Sequence, residues 1–323
     1  MCYPKGMSCF LSDRSALALT ALLLGSACSA PSRATAQAEA APASGANAAA
    51  FFGEQPPVFK QAAIGSMACG PCSLYNSLVA GGAEHRAVAR ALSGATAEEK
   101  IHSLITRFGS AASVVYPNHR TRYEEDLGTT TADLVAIAND LLFSEGAQAV
   151  EGRWLKRLEG ESQDEQLRRI HRAFSSATLP PIIEVRSFVA DVKERGDPLW
   201  EGLFGHFLVV RSVDPLPDDG QASGFLMHCA DSSSGRIIPV FASIERYRPF
   251  TATDGFTVDQ KGKEHWHWAP NSPFMLLTAP DLSLRTQRGA WYERTIMAMT
   301  WGLFEATRPA AKAARTGALR SSR

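Results

Sequence analysis

The sequence has few cysteines for its length, no excess of either charge and no long apolar run. Six cysteines in 323 residues are too sparse for a scaffold built on disulfides. The 33 basic residues balance the 33 acidic ones, so the overall charge does not favour a nucleic-acid partner or acidic substrates. No internal repeat is visible. What remains is a globular composition, with 45% hydrophobic and 20% charged residues.

The N-terminal region has the pattern of an export signal. Two basic residues precede the apolar residues 16–24, a run shorter than the about 20 residues that a membrane-spanning helix needs. The next four residues end at Cys28 and resemble a bacterial lipobox, which predicts acylation of Cys28 and a lipid anchor at the periplasmic or outer surface of a membrane. Cleavage after Ala36 or Ala38, which would give a soluble secreted protein, is the alternative.

Composition and patterning divide the chain into four segments. Residues 1–28 form the predicted export signal, and residues 29–54, mostly Ala, Ser, Pro, Gly and Gln, form a predicted disordered tether. Residues 55–285 are predicted to fold as one domain. Residues 286–323 are predicted to hold a closing helix and a basic disordered tail. A membrane contact is expected only through the lipid anchor.

Within the domain, helical periodicity comes first and strand patterns follow. Helices are predicted over residues 71–81, 83–92, 97–108, 133–142, 163–176 and 288–306. Strands are predicted over residues 182–185, 205–213, 225–231, 236–240 and 272–277. Helices followed by an antiparallel sheet indicate an α+β fold.

One stretch, residues 65–78, is typical of a loop that turns into a helix. Gly70 is predicted as the N-cap and Pro71 as the first helical residue, where its missing amide costs nothing. Cys69 would then lie at the positive end of the helix dipole, which lowers the pKa of a thiol. The motif therefore predicts a reactive cysteine.

A thiol nucleophile needs a base beside it and a third group that holds the base. His206 opens a predicted buried strand, and Asp231 ends the next predicted strand. If these two strands are neighbours, both side chains can face the helix that carries Cys69. The sequence therefore predicts a catalytic triad of Cys69, His206 and Asp231.

These motifs resemble those of the papain-like cysteine peptidases. The matching blocks are residues 69–74, 181–185, 205–210 and 230–235, and their order resembles the bacteriocin-leader (double-glycine) peptidase-like branch. The Cys-to-His separation of 137 residues agrees with the about 130–150 residues of papain-type enzymes. The resemblance covers roughly residues 56–245.

The resemblance implies a papain-like fold in which the nucleophile helix packs on the antiparallel sheet. It implies that Cys69 attacks a carbonyl, that His206 acts as general base and then as acid, and that Asp231 orients the imidazole. The reaction would pass through an acyl-enzyme formed with a peptide or protein substrate. No metal and no organic cofactor is implied.

The family places an oxyanion-hole glutamine six residues before the nucleophile, where this chain has Ala63. Gln61, eight residues before Cys69, is the nearest candidate. Either the loop carries two extra residues or the side-chain donor is lost. The backbone amide of Cys69 remains a donor in both cases.

Two other functions are compatible with parts of the pattern. Residues 69–72, Cys-Gly-Pro-Cys, are also the tetrapeptide of the thioredoxin active site, which predicts a thiol–disulfide oxidoreductase. That fold needs a buried strand directly before the motif, and residues 61–68 show no strand pattern. The displaced glutamine supports the other alternative, an inactive papain-like domain that serves as a binding module on the cell surface.

Several residues near these motifs have more than one interpretation. Cys72 is the alternative nucleophile, because the second cysteine is the reactive one in the cathepsin pattern, although Ser73 is not the aromatic residue expected there. His228 is predicted to point away from Asp231 and to be structural. His265 and His267 alternate with tryptophans but lack carboxylate or cysteine partners at metal-ligand spacing, so a strand or loop with buried tryptophan is expected.

Overall fold

The α+β fold class is confirmed, and the described residues form five helices and a large mixed sheet. The computed structural model describes residues 56–191, 199–217, 222–246, 249–282 and 295–306. The helices are α1 (Cys69–Ala80), α2 (Ala83–Ala91), α3 (Ala97–Leu104), α4 (Thr131–Ser144) and α5 (Gln163–Ser175). The strands are β1 (Val150–Trp154), β2 (Ile182–Asp191), β3 (Leu199–Val213), β4 (Gly224–Asp231), β5 (Arg236–Ser243), β6 (Thr251–Val258), β7 (Glu264–Ala269), β8 (Met275–Thr278) and β9 (Thr295–Glu305).

Six strands pair into a closed ring in the order β2, β3, β4, β5, β8 and β9, with β9 returning to β2. All of these pairings are antiparallel, as predicted. The β6–β7 hairpin joins β3 through a short parallel pairing of Leu199 and Trp200 with Thr251 and Ala252, so the sheet is mixed rather than purely antiparallel. One core fills the inside of the ring and includes the apolar face of α5.

A second core lies between the helices and the outer face of the ring. Leu74 and Leu78 of α1 pack in it with Phe207 and Val209 of β3. Because both elements bury an apolar face here, α1 is fixed against β3 along its length. This packing brings the N-terminus of α1 to the part of β3 that contains His206.

The predicted helix over residues 288–306 is wrong where the structure describes it. Thr295–Glu305 form β9, which pairs with β2 along one edge and with β1 and β8 along the other. Every residue from Ala298 to Phe304 is buried, because a strand inside a closed sheet has neighbours on both faces. Such a continuous apolar run does not distinguish a helix from a strand. The described sheet therefore includes residues beyond the predicted boundary at residue 285.

Neither β1 nor β6 is predicted from the sequence. The predicted strand or loop with buried tryptophan at His265–Trp268 is β7, but Trp268 is 44% exposed, so its predicted burial is wrong. Residues 110–128, whose sequence indicates loop and strand, contain two isolated β-bridges, Ala112 with Thr121 and Glu124 with Gly128. Cys28, the export signal, the tether and the basic tail lie outside the described residues.

Candidate active site

Helix α1 begins at Cys69, earlier than the predicted start at Pro71. Its N-cap is Ala68, whose side chain cannot accept a hydrogen bond from the free amides of the first turn. The positive end of the helix therefore lies at the thiol of Cys69 with no side-chain cap to neutralise it. This is an environment that favours negative charge on the sulfur.

The half-buried thiol of Cys69 is hydrogen-bonded to His206, and it also accepts a hydrogen bond from the backbone amide of Phe207. Burial alone would raise the pKa of the Cys69 thiol. The hydrogen bond and the positive charge of His206 outweigh burial, so the pKa of Cys69 is lowered from its ordinary value. The arrangement favours a thiolate beside an imidazolium.

His206 and Asp231 are diagonal neighbours on one face of the sheet. Leu208 of β3 pairs with Asp231 of β4, and His206 lies two residues from Leu208, so all three side chains share a face. Nε2 of His206 donates to Oδ1 of Asp231 at 2.8 Å, which leaves Nδ1 for the thiol. Burial would lower the pKa of His206, but Asp231 and Cys69 together raise it to about 9.

The carboxylate of Asp231 is held by the turn that follows it. The backbone amides of Ser233 and Ser234 donate to it at 2.9 and 3.1 Å, and the Ser233 hydroxyl donates as well. Burial would raise the pKa of Asp231, but His206 and these serine donors bring it well below its usual range. Asp231 is therefore ionised, and its acceptor atoms are fixed in place.

Gln61, the candidate oxyanion donor, lies in a 3-10 turn (Gln61–Ala63) and reaches the same turn as Asp231. Its Oε1 accepts a hydrogen bond from the Ser232 hydroxyl at 2.8 Å. Its Nε2 donates to the Ser66 carbonyl at 2.7 Å. Ala63, at the position expected for the glutamine, is exposed. The structure thus brings Gln61, and not Ala63, into the site.

Cys72 lies one turn further along α1, where an apolar cluster encloses it. Its side chain is 0% exposed and packs with Ala68 and Ile101, and burial raises the pKa of the Cys72 thiol far above its ordinary value. Cys69 and Cys72 are both free thiols. Residues 56–68, all of them described, contain the 3-10 turn but no strand before the Cys-Gly-Pro-Cys motif.

The structure also locates groups that sequence reasoning did not find. Ser232 and Ser66 bind the two ends of the Gln61 amide, and Thr129 packs on Gly70 at the start of α1. The run Ser232–Ser234 after Asp231 is typical of a turn, but it does not identify the partner of that turn. Thr129 carried no signal at all.

Replacement of Gly70 by alanine is expected to displace the start of α1 and to slow the reactions of Cys69. A Cβ at Gly70 would lie 2.2 Å from Cγ2 of Thr129, so Thr129 or the start of α1 must shift, at a cost of about 1–3 kcal/mol. Urea unfolding and the alkylation rate of Cys69 measure the two effects. Thr129→Ser removes Cγ2 and should restore both in the double variant; failure of that rescue would contradict the clash.

The remaining candidates lie apart from this cluster. His228 points away from Asp231, as predicted, and pairs with Asp214 at 3.4 Å. His265 pairs with Asp259 at 3.2 Å on the β6–β7 hairpin. In the described part of the chain, no group of three His, Cys, Asp or Glu side chains could hold a metal ion. None of the described helices is both long and apolar enough to cross a membrane.

Comparison with known proteins identifies no family for this chain. No protein-family model, no curated protein and no solved structure matches it. The functional interpretation therefore depends on the geometry and chemistry of Cys69, His206 and Asp231.

Proposed function

We propose that the chain is a papain-like cysteine peptidase or amide hydrolase that acts on peptide or protein substrates outside the cytoplasm. The observation that carries this proposal is the unbroken hydrogen-bond chain from Cys69 through His206 to Asp231. The three residues come from three different elements, α1, β3 and β4. Their pKa shifts all favour one charge state, thiolate, imidazolium and carboxylate.

In the first half of the reaction, the thiolate of Cys69 attacks the carbonyl carbon of the substrate. The negative charge that develops on the carbonyl oxygen is bound by the backbone amide of Cys69 at the positive end of α1. The imidazolium of His206 gives its proton to the leaving amine, the C–N bond breaks, and a thioester remains on Cys69.

In the second half, water resolves the thioester. Neutral His206 takes a proton from the water molecule, whose oxygen attacks the acyl carbon. The C–S bond breaks, the carboxylic acid product leaves, and the thiolate–imidazolium pair is restored. Asp231 keeps Nε2 of His206 bonded through both halves, so Nδ1 always faces the sulfur.

The alkylation of Cys69 by iodoacetamide tests this proposal without knowledge of the substrate. We expect Cys69 to be labelled rapidly at pH 5–6 in the wild type, because its pKa is lowered by His206. In His206→Ala, the charge and hydrogen bond of His206 no longer offset the burial of the sulfur. The pH midpoint of Cys69 alkylation should therefore rise to about 8.5 or above. Site-mapped mass spectrometry of the reduced protein as a function of pH gives the labelling rate of each cysteine.

Cys72 and Cys229 are internal controls in the same experiment, because both are buried and should label slowly at every pH below 9. A low midpoint for Cys69 that does not respond to His206→Ala, together with ready formation of a Cys69–Cys72 disulfide, would favour redox chemistry instead. Ordinary midpoints for all thiols would leave a binding module as the better interpretation.

A further inference from the structure

The Gln61 side chain is oriented by the chemistry of its two partners. The Ser66 carbonyl can only accept a hydrogen bond, so the atom of the Gln61 amide that lies 2.7 Å from it must be the nitrogen. The amide oxygen then faces Ser232, whose hydroxyl must donate, at 2.8 Å. Gln61 and Ser232 are both buried, so water does not compete for the bond between them, whereas Ser66 at the other end of the amide is exposed.

These bonds join two segments that are far apart in the sequence. Ser232 directly follows Asp231, and Ser66 precedes Cys69 by three residues. The backbone amide of Gln61 also donates to the Ser232 carbonyl at 2.8 Å. One residue, Gln61, thus connects the loop before the nucleophile to the turn that holds the triad carboxylate.

The connection runs parallel to the triad itself. His206 bridges Asp231 and Cys69 through its ring, while Gln61 bridges the backbone segments on which those two residues are carried. Because the two bridges connect the same two backbone segments, a change in one is expected to alter the geometry of the other. The Gln61 amide is, in addition, engaged at both ends.

We propose that Gln61 and Ser232 are positioning residues that form a clamp, which holds the loop before Cys69 against the turn after Asp231. This inference rests on the proposed function, since the clamp acts on catalysis through the bond between Cys69 and His206. On this assignment, loss of the Ser232 hydroxyl or of the Gln61 amide weakens the hydrogen bond between Cys69 and His206. It does not remove a group that contacts the substrate. Gln61 then acts by holding the two segments in place, and the backbone amide of Cys69, at the start of α1, is the oxyanion donor.

A double-variant cycle on the alkylation midpoint tests the clamp. We expect Ser232→Ala to raise the pH midpoint of Cys69 alkylation by about half to one unit, which slows labelling by about three- to tenfold at a pH well below the wild-type midpoint. Gln61→Met, which keeps the volume but removes all side-chain hydrogen bonds, should raise the midpoint at least as much. The double variant should match Gln61→Met alone, because both changes break the same bond between Ser232 and Gln61.

Ser77→Ala is the matched control, since it also removes one buried serine hydroxyl, which donates to the Pro180 carbonyl at 2.6 Å away from the triad. It should lower the urea midpoint but leave the alkylation midpoint of Cys69 unchanged. Ser232→Thr keeps the donor and should keep most of the wild-type midpoint.

The clamp is overturned if folded Ser232→Ala and Gln61→Met label like the wild type, or if their shifts simply add. A slower acylation in Gln61→Met with an unchanged midpoint would assign Gln61 to the oxyanion instead. His206→Ala distinguishes failure of the clamp from failure of the proposed function. If His206→Ala shifts the alkylation midpoint of Cys69 and Ser232→Ala does not, the proposed function stands and only the clamp fails.

Discussion

Replacement of Cys69 by alanine is expected to abolish acyl transfer, while Cys72→Ala keeps most of it. Cys69 carries the thiol that His206 holds, so its loss removes the nucleophile, and removal of a triad member typically costs on the order of 10⁴-fold or more. The burst of p-nitrophenol from p-nitrophenyl acetate measures formation of the acyl-enzyme. New termini in a peptide library, identified by mass spectrometry, measure hydrolysis.

The Cys72→Ala variant distinguishes a mechanism with one essential thiol from a dithiol mechanism. Cys72 is fully buried and its thiol has a raised pKa, so its truncation should cost about 1 kcal/mol of stability through lost packing and leave the burst intact. Equal losses in both variants would support a dithiol mechanism of the thioredoxin kind. A burst that survives in Cys69→Ala would contradict the nucleophile assignment directly.

The triad was predictable in part, because helix starts and strand ends carry local signals: the Cys-Gly-Pro motif marks the start of α1, and Asp231 ends β4. The prediction that His206 opens a strand is wrong, because β3 begins at Leu199 and His206 lies in its middle, where Gly205 continues the pairing with β2. What the sequence could not show is the register. His206 and Asp231 meet only because Leu208 pairs with Asp231, and a shift of one residue would place them on opposite faces.

The support of the triad was not predictable, because it depends on contacts between distant segments. Ser232 bonds Gln61 across 171 residues, and neither residue type identifies its partner. The same reason explains the error at the C-terminus, where Thr295–Glu305 become a strand through pairing with β2. The alternation of aromatic and apolar residues there fits a helix as well as a doubly buried strand.

A buried ion pair beside the triad was also not predictable from the sequence. Glu184 and Arg186 of β2 are each 2% exposed, and Nη2 of Arg186 donates to Oε1 of Glu184 at 2.7 Å. Thr300 of β9 donates to the other carboxylate oxygen at 2.6 Å, and the guanidinium lies 5.9 Å from the centroid of the Trp266 ring. A Cβ at Gly205 would lie 2.8 Å from Oε1 of Glu184, so the residue before His206 must stay small.

Glu184→Gln is expected to lower the free energy of unfolding by about 3–5 kcal/mol, because it removes the buried negative charge to which the Arg186 guanidinium donates. Glu151→Gln is the matched control. Glu151 and Arg153 form the same Glu-x-Arg pair on β1, but their side chains are 42% and 43% exposed, so its loss should cost less than about 1 kcal/mol. Urea unfolding of both variants and the wild type gives the comparison.

The difference between the wild type and Glu184→Gln should depend on pH in a defined direction. Burial would raise the pKa of Glu184, but the charge and hydrogen bond of Arg186 and the hydroxyl of Thr300 outweigh it, so the folded pKa lies below the ordinary value. The stabilisation is therefore present above the unfolded pKa of about 4.3 and is lost as the pH falls through the lower folded value. A stability difference that stays small at pH 7, or that grows as the pH falls below 4, would show that the pair is not ionised in the folded protein.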